Sequence, residues 1–159
     1  MAANFDSKMF RQVMGTFATG VTVVTTVGDS GPHGMTANAF MSVSLEPPLI
    51  LVSVDHKART NSLIKQAKRF GVNFLRVDQQ HLSNHFAGKP NLEDEKGLFT
   101  WYEDIPLLSD CLATIACRLW ESFEAGDHTL FVGEVLDLKA YEGEPLLFYK
   151  GQYREVKPQ

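Results

Sequence analysis

The sequence predicts a mainly β fold with flanking helices, in which antiparallel strands form a barrel. Short β-branched and apolar segments recur along the chain, and turns of a few residues containing Gly or Pro separate most of them. Such short connections join antiparallel strands, whereas parallel strands need crossovers of a dozen or more residues. Because few segments carry a helical period, a βαβ sandwich is disfavoured.

A single domain over residues 1–159 is the expected organisation. Hydrophobic residues make up 44% of the chain and charged residues 21%, which is typical of a globular protein with an adequate core. The net charge of -4 argues against nucleic acid or an anionic membrane as a partner. No apolar run reaches the roughly 20 residues that cross a bilayer, and residues 1–6 lack the layout of a signal peptide. We therefore expect a cytoplasmic protein.

The two cysteines, Cys111 and Cys117, lie in an apolar stretch that is expected to be a strand. Their even spacing would place both on one face of that strand, too far apart to form a disulfide. Reduced thiols that pack as small hydrophobic groups agree with a cytoplasmic location.

The chain is predicted to begin with a helix that Asp6 caps. The apolar residues that recur at helical spacing in it are Met9, Phe10, Val13, Met14 and Phe17. A β-branched strand follows at residues 21–27, and a Gly-containing turn at 28–31 returns the chain as an antiparallel strand at 33–38.

Strands and helices alternate in the middle of the chain. A strand is expected at residues 49–54, a short helix at 60–68 and another strand at 70–75. A further helix begins at Asp78 and can end at Gly88.

The C-terminal part is predicted to consist almost entirely of strands. The acidic segment at residues 93–95 is expected to be a solvated loop. Strands then follow at 112–123, 129–141 and 146–149, separated by turns that contain Gly.

The sequence motifs of the commonest nucleotide-binding and hydrolase folds are missing. No G-x-G-x-x-G opens a helix after a strand, and the chain has neither a Walker-type loop nor a G-x-S-x-G elbow. His81 and His85 have the spacing of a zinc pair on a helix, but no Glu follows His81 and no third ligand is evident. A surface or half-buried helix face explains the two histidines better, and we expect no metal.

Three polar segments are candidates for a ligand site. Residues 34–44 interleave small side chains, hydroxyls and an amide, which suits a planar ring but also a strand with a polar outer face. Residues 56–61 join two cations and a hydroxyl to a helix start, which suits a phosphate but also a solvated, well-capped helix. His128 follows a tight turn, where it could orient a bound amide or simply be a hydrogen-bonded turn residue. Tyr149 and Tyr153 could line a site or a subunit interface.

Four motifs in this order resemble those of the short-chain flavin reductase family, which includes the reductase components of two-component phenol and 4-hydroxyphenylacetate hydroxylases. The motifs are FATGVTVVTT at residues 17–26, GMTANAF at 34–40, NFL at 73–75 and GDHTLFVGEV at 126–135. The resemblance covers nearly the whole chain. It implies a Greek-key split β-barrel of the FMN-binding type, a homodimer and a flavin near the dimer interface.

The resemblance also assigns roles to residues of this sequence. The isoalloxazine ring would contact Met35, Thr36, Ala37 and Asn38. Its far edge would meet Ser53, Val54 and Asp55. The phosphate would be held by Lys57, Ala58, Arg59, Thr60 and Asn61. The ribityl and adenine end would meet Phe86, Ala87 and Gly88. The catalytic residue would be His128, which would contact the nicotinamide together with Tyr149 and Tyr153.

The activity that the resemblance implies is hydride transfer from NADH to FAD or FMN. NADPH is the less favoured donor, because no basic pocket for a 2′-phosphate is apparent. Reduced flavin would pass by diffusion to a separate monooxygenase that acts on aromatic compounds. The alternatives are a non-catalytic flavin-binding or electron-transfer protein on the same barrel, a flavin-dependent oxidase of related shape, and a zinc hydrolase that uses His81 and His85.

Overall fold

Antiparallel strands are the main regular structure of the protein, as the sequence predicts. The computed structural model describes residues 3–159; Met1 and Ala2, on which the interpretation of the N-terminus partly rests, lie outside the described residues. The helices are α1 (Ser7–Met14), α2 (Arg59–Ala67) and α3 (Gln80–His85). The first strands are β1 (Thr19–Gly20), β2 (Thr22–Gly28), β3 (Gly31–Ala37), β4 (Phe40–Leu45), β5 (Pro48–Asp55) and β6 (Arg69–Phe74). The remaining strands are β7 (Phe99–Tyr102), β8 (Ile105–Leu108), β9 (Ala113–Ala125), β10 (His128–Ala140), β11 (Leu147–Tyr149) and β12 (Gln152–Arg154).

The main sheet closes on itself at the connection between β3 and β4. Its strand order is β3-β2-β6-β9-β10-β5-β4, so β3 and β4 lie at opposite edges. Only Asn38 and Ala39 separate them in sequence. Three residue steps span at most about 11 Å, so the two edges must meet. Within the described residues no ladder pairs β3 with β4, and we call this gap the seam. The predicted antiparallel split barrel is confirmed.

Most predicted elements are confirmed, and the differences are local. The helix expected from Asp78 begins as a 3₁₀ turn at Val77–Gln79, continues as α3 and ends at His85, ahead of Gly88. The sequence analysis missed β4, and it also missed the two-stranded sheet of β7 and β8. These strands have four to six residues, which gives too few alternations to distinguish a strand from a loop.

The core packs on both faces of β2. Val24 belongs to a cluster with Val72, Phe70 and Phe131, whereas its neighbour Val23 packs in a second cluster. Both valines are completely buried. Because neither face of β2 meets water, the strand consists of a continuous β-branched run rather than an alternation.

A buried amide connects the second cluster to the barrel wall. Asn73 on β6 donates from Nδ2 to the carbonyl oxygen of Val23 at 2.8 Å and to Thr25 Oγ1 at 3.1 Å. Its Oδ1 accepts from the backbone N–H of Leu108 at 2.9 Å. The amide therefore lies in the core with both Nδ2 and Oδ1 bonded, so its burial carries little desolvation cost.

The two cysteines are free and buried, as expected, but they do not share a strand face. Cys117 lies on β9 in the first core cluster, whereas Cys111 precedes β9 and packs in the second. The prediction of a common face was wrong because the strand begins only at Ala113. Burial raises the pKa of Cys111 to about 11 and that of Cys117 to about 12.

The first helix is confirmed, but its apolar stripe does not pack into this chain. Asp6 Oδ1 accepts from the backbone N–H of Met9 at 2.8 Å, which is the expected cap. No residue of α1 is buried, and the exposed apolar side chains on and beside it are Phe5, Met9, Phe10, Val13, Met14 and Phe17.

Gly71 on β6 is required by close packing. A Cβ at this position would lie 2.5 Å from Thr25 Oγ1 and 3.0 Å from the carbonyl oxygen of Pro106. We expect Gly71→Ala to lower the free energy of unfolding by about 1–3 kcal/mol, as for other overpacked cores. Gly20→Ala is the control, because a Cβ there meets nothing within 4 Å. Urea denaturation of both variants measures the difference, and equal stabilities would contradict this account.

Candidate functional site

Three adjoining cavities form a groove beside β3 and the link to β4, which we call the seam groove. The first, of about 540 Å³, lies between β3, the start of α2 and the segment after α3. The second, of about 190 Å³, shares Thr36 and Ala87 with the first. The third, of about 320 Å³, shares Val21 and Asn38 with the second and is mainly apolar.

Many of the residues assigned to flavin, and one assigned to the nicotinamide, line this groove together. They are Met35, Thr36, Ala37, Asn38, Ala58, Arg59, Thr60, Phe86, Ala87, Gly88 and Tyr153. They come from four parts of the sequence, which the barrel brings to one side.

Thr36 holds β3 against the end of α3. Its backbone N–H donates to the carbonyl oxygen of Phe86 at 3.1 Å, and its Oγ1 donates to the carbonyl oxygen of Ser83 at 2.6 Å. These bonds replace part of the missing strand ladder. The hydroxyl proton of Thr36 is therefore already used, and only its oxygen lone pairs could serve a ligand.

The start of α2 faces the first cavity without a side-chain cap. Its N-cap residue is Ala58, which makes no side-chain capping bond, so the well-capped helix considered above is not what the structure contains. Arg59 is exposed beside it and donates to Ser30 Oγ at 3.2 Å. Uncapped N–H groups at a helix start, next to a guanidinium, favour an anion.

His33 is a groove residue that the sequence analysis did not single out. Its Nε2 lies 2.9 Å from Oγ1 of the buried Thr60, and its ring lines the first cavity. Desolvation, and secondarily the nearby Arg59, lower the pKa of His33, while Glu95 acts in the opposite direction. A single histidine in a strand of small residues carries no periodic pattern that could have revealed this role.

Tyr153 is fixed at the wall of the second cavity. Its hydroxyl lies 2.6 Å from Ser83 Oγ and donates to Asn84 Oδ1 at 3.1 Å. The ring packs edge-on against Phe148. Tyr149, by contrast, lines none of the three cavities; its ring lies beneath the cations of Lys150 and Arg154.

An unpartnered hydroxyl faces the third cavity. Among the described residues, Thr19 Oγ1 is the one buried side-chain polar atom without a hydrogen-bond partner, and Thr19 lines that cavity next to Val21 and Asn38. A buried hydroxyl without a partner costs free energy.

Other assigned residues lie outside the groove. Val54 packs in the core, and Asn61 is buried with its Nδ2 bonded to the carbonyl oxygen of Val54 and to Thr129 Oγ1. Ser53 pairs with Leu130 of β10. The side chains of Val54 and Asn61 therefore make their contacts within the core.

Asp55 and Lys57 also lie outside the groove, beside the β9–β10 hairpin. Asp55 pairs with His128 in the ladder between β5 and β10. Its Oδ1 accepts from the backbone N–H of Lys57 at 2.8 Å. Asp55 and Lys57 therefore lie at the C-terminal end of β5, where this strand pairs with His128 of β10.

His128 is the first residue of β10 and lies outside the groove, next to Asp55. Its Nδ1 lies 2.7 Å from Asp127 Oδ1, and the contact lowers the pKa of Asp127, first through this hydrogen bond and then through charge. An ionised Asp127 can only accept, so Nδ1 carries the proton. In the tautomer that carries its proton on Nδ1, Nε2 is an acceptor, and it has no partner among the described residues.

The two helical histidines do not form a metal site in the described part of the chain. His85 is buried, its Nε2 lies 3.0 Å from Glu95 Oε1, and its Nδ1 accepts from the backbone N–H of Asn91. His81 is exposed. No group of three or more His, Cys, Asp or Glu side chains between residues 3 and 159 could hold a metal ion, and no helix there is long and apolar enough to span a membrane.

The seam groove suits a long, flat molecule with a polar edge and an anionic end. The exposed amide of Asn38 is available to the edge of a ring, and the uncapped start of α2 with Arg59 suits phosphate. These features fit a flavin nucleotide.

Comparison with known proteins gives the same result over nearly the full length. The family model described as "Flavin reductase like domain" matches residues 14–157. An NADH-dependent flavin reductase of a Rhodococcus species is 44% identical over 150 residues, covering 92% of this chain and 85% of the relative. The reductase component of 4-nitrophenol 4-monooxygenase/4-nitrocatechol 2-monooxygenase from Rhodococcus opacus is 36% identical, covering 96% and 83%. The structure of the flavin reductase PheA2 in its native state is similar with a TM-score of 0.91 and 48% identity, covering 97% and 100%.

The environment of His33 predicts a specific pH dependence of stability. Because its pKa is lowered in the folded state, the unfolded chain binds the proton more readily, and stability falls as the pH drops through the ordinary histidine range. We expect His33→Gln to reduce the loss of stability between about pH 7.5 and about pH 5.5. Urea denaturation at both pH values measures this loss, with His81→Gln as the control at an exposed position. An unchanged loss in His33→Gln would contradict the prediction.

Proposed function

The chain belongs to the flavin reductase-like domain family, and from this premise we propose that it transfers a hydride from NADH to FAD or FMN and supplies the reduced flavin to a separate monooxygenase. The observation that carries this proposal is the seam groove, where Thr36–Asn38, the start of α2 and residues 86–88 line one continuous surface. The resemblance assigns each of these segments to the flavin.

The groove binds the flavin through several kinds of contact. The strand β3 would present its backbone and small side chains to the ring, and Asn38 would bond to the polar edge. Arg59 and the start of α2 hold the phosphate. The flavin supplies a ring that accepts a hydride, so the protein needs to position two rings and exclude water rather than provide an acid or a base.

His128 is the proposed catalytic residue, and it acts by placing the nicotinamide. Asp127 fixes the proton on Nδ1, so Nε2 can accept from the carboxamide N–H of the nicotinamide. Tyr149 and Tyr153 are proposed as further contacts with the nicotinamide. Tyr153 is already held by Ser83 and Asn84, which supports a fixed position for its ring.

We also propose that one domain spans the chain and that two copies form a homodimer in the cytoplasm. The dimer is supported by the exposed apolar stripe of α1, because solvent-exposed apolar patches of this kind mark interaction surfaces. The acceptor of the reduced flavin is proposed to be an oxygenase that acts on an aromatic compound. The relative from Rhodococcus opacus, a reductase component, supports this choice.

The main alternative, a flavin-binding protein without turnover, makes a different experimental prediction. We expect the purified protein to oxidise NADH only when FAD or FMN is added, and much faster than NADPH. Absorbance at the nicotinamide band measures the rate with FAD, FMN, riboflavin or no addition. Tight flavin retention without NADH oxidation would instead support the electron-transfer alternative.

His128→Ala should weaken the use of NADH while flavin binding survives. Because a hydrogen bond to a bound amide is lost, kcat/KM for NADH should fall by a factor that corresponds to about 1–3 kcal/mol. Steady-state kinetics gives this value, and flavin fluorescence titration gives the flavin Kd. His81→Ala, at an exposed position on α3, is the control. Equal losses in NADH use and flavin affinity would reject this division of roles.

A further inference from the structure

A chain of side-chain hydrogen bonds crosses the interior between α2 and the β9–β10 hairpin. Asn61 Nδ2 donates to Thr129 Oγ1 at 2.9 Å, and Thr129 Oγ1 donates to the carboxylate of Glu124 at 3.1 Å. The Nδ2 group also reaches the carbonyl oxygen of Val54 at 3.1 Å. Asn61 is 4% exposed and Thr129 is 0% exposed, so water does not compete for the bond between them.

Glu124, at one end of this chain of hydrogen bonds, fixes which atom donates in each bond. An ionised Glu124 can only accept, so the single hydroxyl proton of Thr129 must point to it. The hydroxyl oxygen of Thr129 then accepts from Asn61, and Asn61 must present Nδ2 rather than Oδ1. Each member therefore has one orientation, which makes the chain a rigid connection.

Glu124 also joins the chain to the segment before α2 and to α2 itself. His56 Nε2 and Lys65 Nζ both contact its carboxylate, the second at 3.1 Å. The backbone N–H of His56 donates to the carbonyl oxygen of Asp127 at 2.9 Å. The start of α2 and the β9–β10 hairpin are thus held together at several points, and Asn61–Thr129 is the buried one.

The two ends of this chain of hydrogen bonds lie beside the two parts of the proposed site, one for the flavin phosphate and one for the nicotinamide. Asn61 is two residues beyond Arg59, at the start of α2 that would hold the flavin phosphate. Thr129 is next to His128, with its side chain inside the barrel while the ring of His128 lies outside. A shift of Thr129 must therefore move the backbone that places His128.

We propose that the Asn61–Thr129 hydrogen bond couples binding of the flavin phosphate to the placement of the nicotinamide. This inference rests on the proposed function. Thr129 and Asn61 are positioning residues, which act through His128 and Arg59 rather than by touching the reacting atoms. Because such coupling is reciprocal, a flavin with a phosphate improves the binding of NADH more than riboflavin does.

The test compares two substitutions of Thr129. Thr129→Val keeps the shape but removes the hydroxyl, whereas Thr129→Ser keeps the hydroxyl. In the unsubstituted protein the KM for NADH is expected to be lower with saturating FMN than with riboflavin. Thr129→Val should raise the KM with FMN by about threefold to tenfold and remove the difference between the two flavins. Thr129→Ser should retain the difference.

Several outcomes would overturn the inference. These are an unchanged KM in Thr129→Val, equal effects of the two substitutions, or no difference between FMN and riboflavin in the unsubstituted protein. If that protein does not oxidise NADH with any flavin, the proposed function fails and the inference fails with it. A reductase with normal turnover and an unaffected Thr129→Val variant rejects the inference alone.

A second pair of variants covers the case in which Thr129→Val does not fold. Glu124→Ala removes the acceptor at the exposed end of the chain, and Glu121→Ala on the same strand is its control. Glu124→Ala should reduce the difference between FMN and riboflavin, while Glu121→Ala should leave it as it is. Identical flavin dependence in both variants would reject the coupling.

Discussion

The short link of Asn38 and Ala39 between β3 and β4 is the constraint on which the rest of the structure depends. It joins the two edges of a seven-stranded sheet, so the sheet must curl into a barrel whatever else the chain does. The two strands follow one another through this link, whose Ala39 carbonyl oxygen accepts from the backbone N–H of Ser53 at 3.1 Å, and no ladder of the described residues pairs β3 with β4. The barrel therefore has a gap in which the backbone of β3 bonds to the end of α3, as at Thr36. The end of β3 and Asn38 of the link line the seam groove, so the connection that closes the barrel also forms part of the groove wall.

The interior is organised so that polar groups occur only where they have partners. Asn73 has its amide nitrogen and oxygen bonded inside the second cluster, and Asn61 and Thr129 bond to each other near the first. Thr19 departs from this rule among the described residues, and it lies in the groove rather than in the core. Among the described residues, the polar side chains of the core are thus paired, whereas the one unpaired hydroxyl belongs to a residue that lines the groove.

Local patterns predicted the parts of this structure that local chemistry decides. The hairpin of β2 and β3 followed from a β-branched run and a Gly-containing turn, and α1 followed from Asp6 and a helical period. Periodicity could not say that the apolar stripe of α1 would remain exposed, because that depends on what packs against it. The role of Asn61 could not be predicted either, since its partner Thr129 lies 68 residues away in sequence. Cys111 was misplaced because a strand boundary differed by a few residues.

The burial of both cysteines has a consequence for oxidative stability. A reduced flavin released into air reacts with dioxygen, and the peroxide that results attacks thiolates rather than thiols. With pKa values of about 11 and about 12, on the order of one thiol in ten thousand or fewer is ionised at neutral pH. Neither sulfur is accessible from the surface. The protein produces reduced flavin, which reduces dioxygen. Because packing buries both cysteines, the protein itself has no readily oxidised thiol.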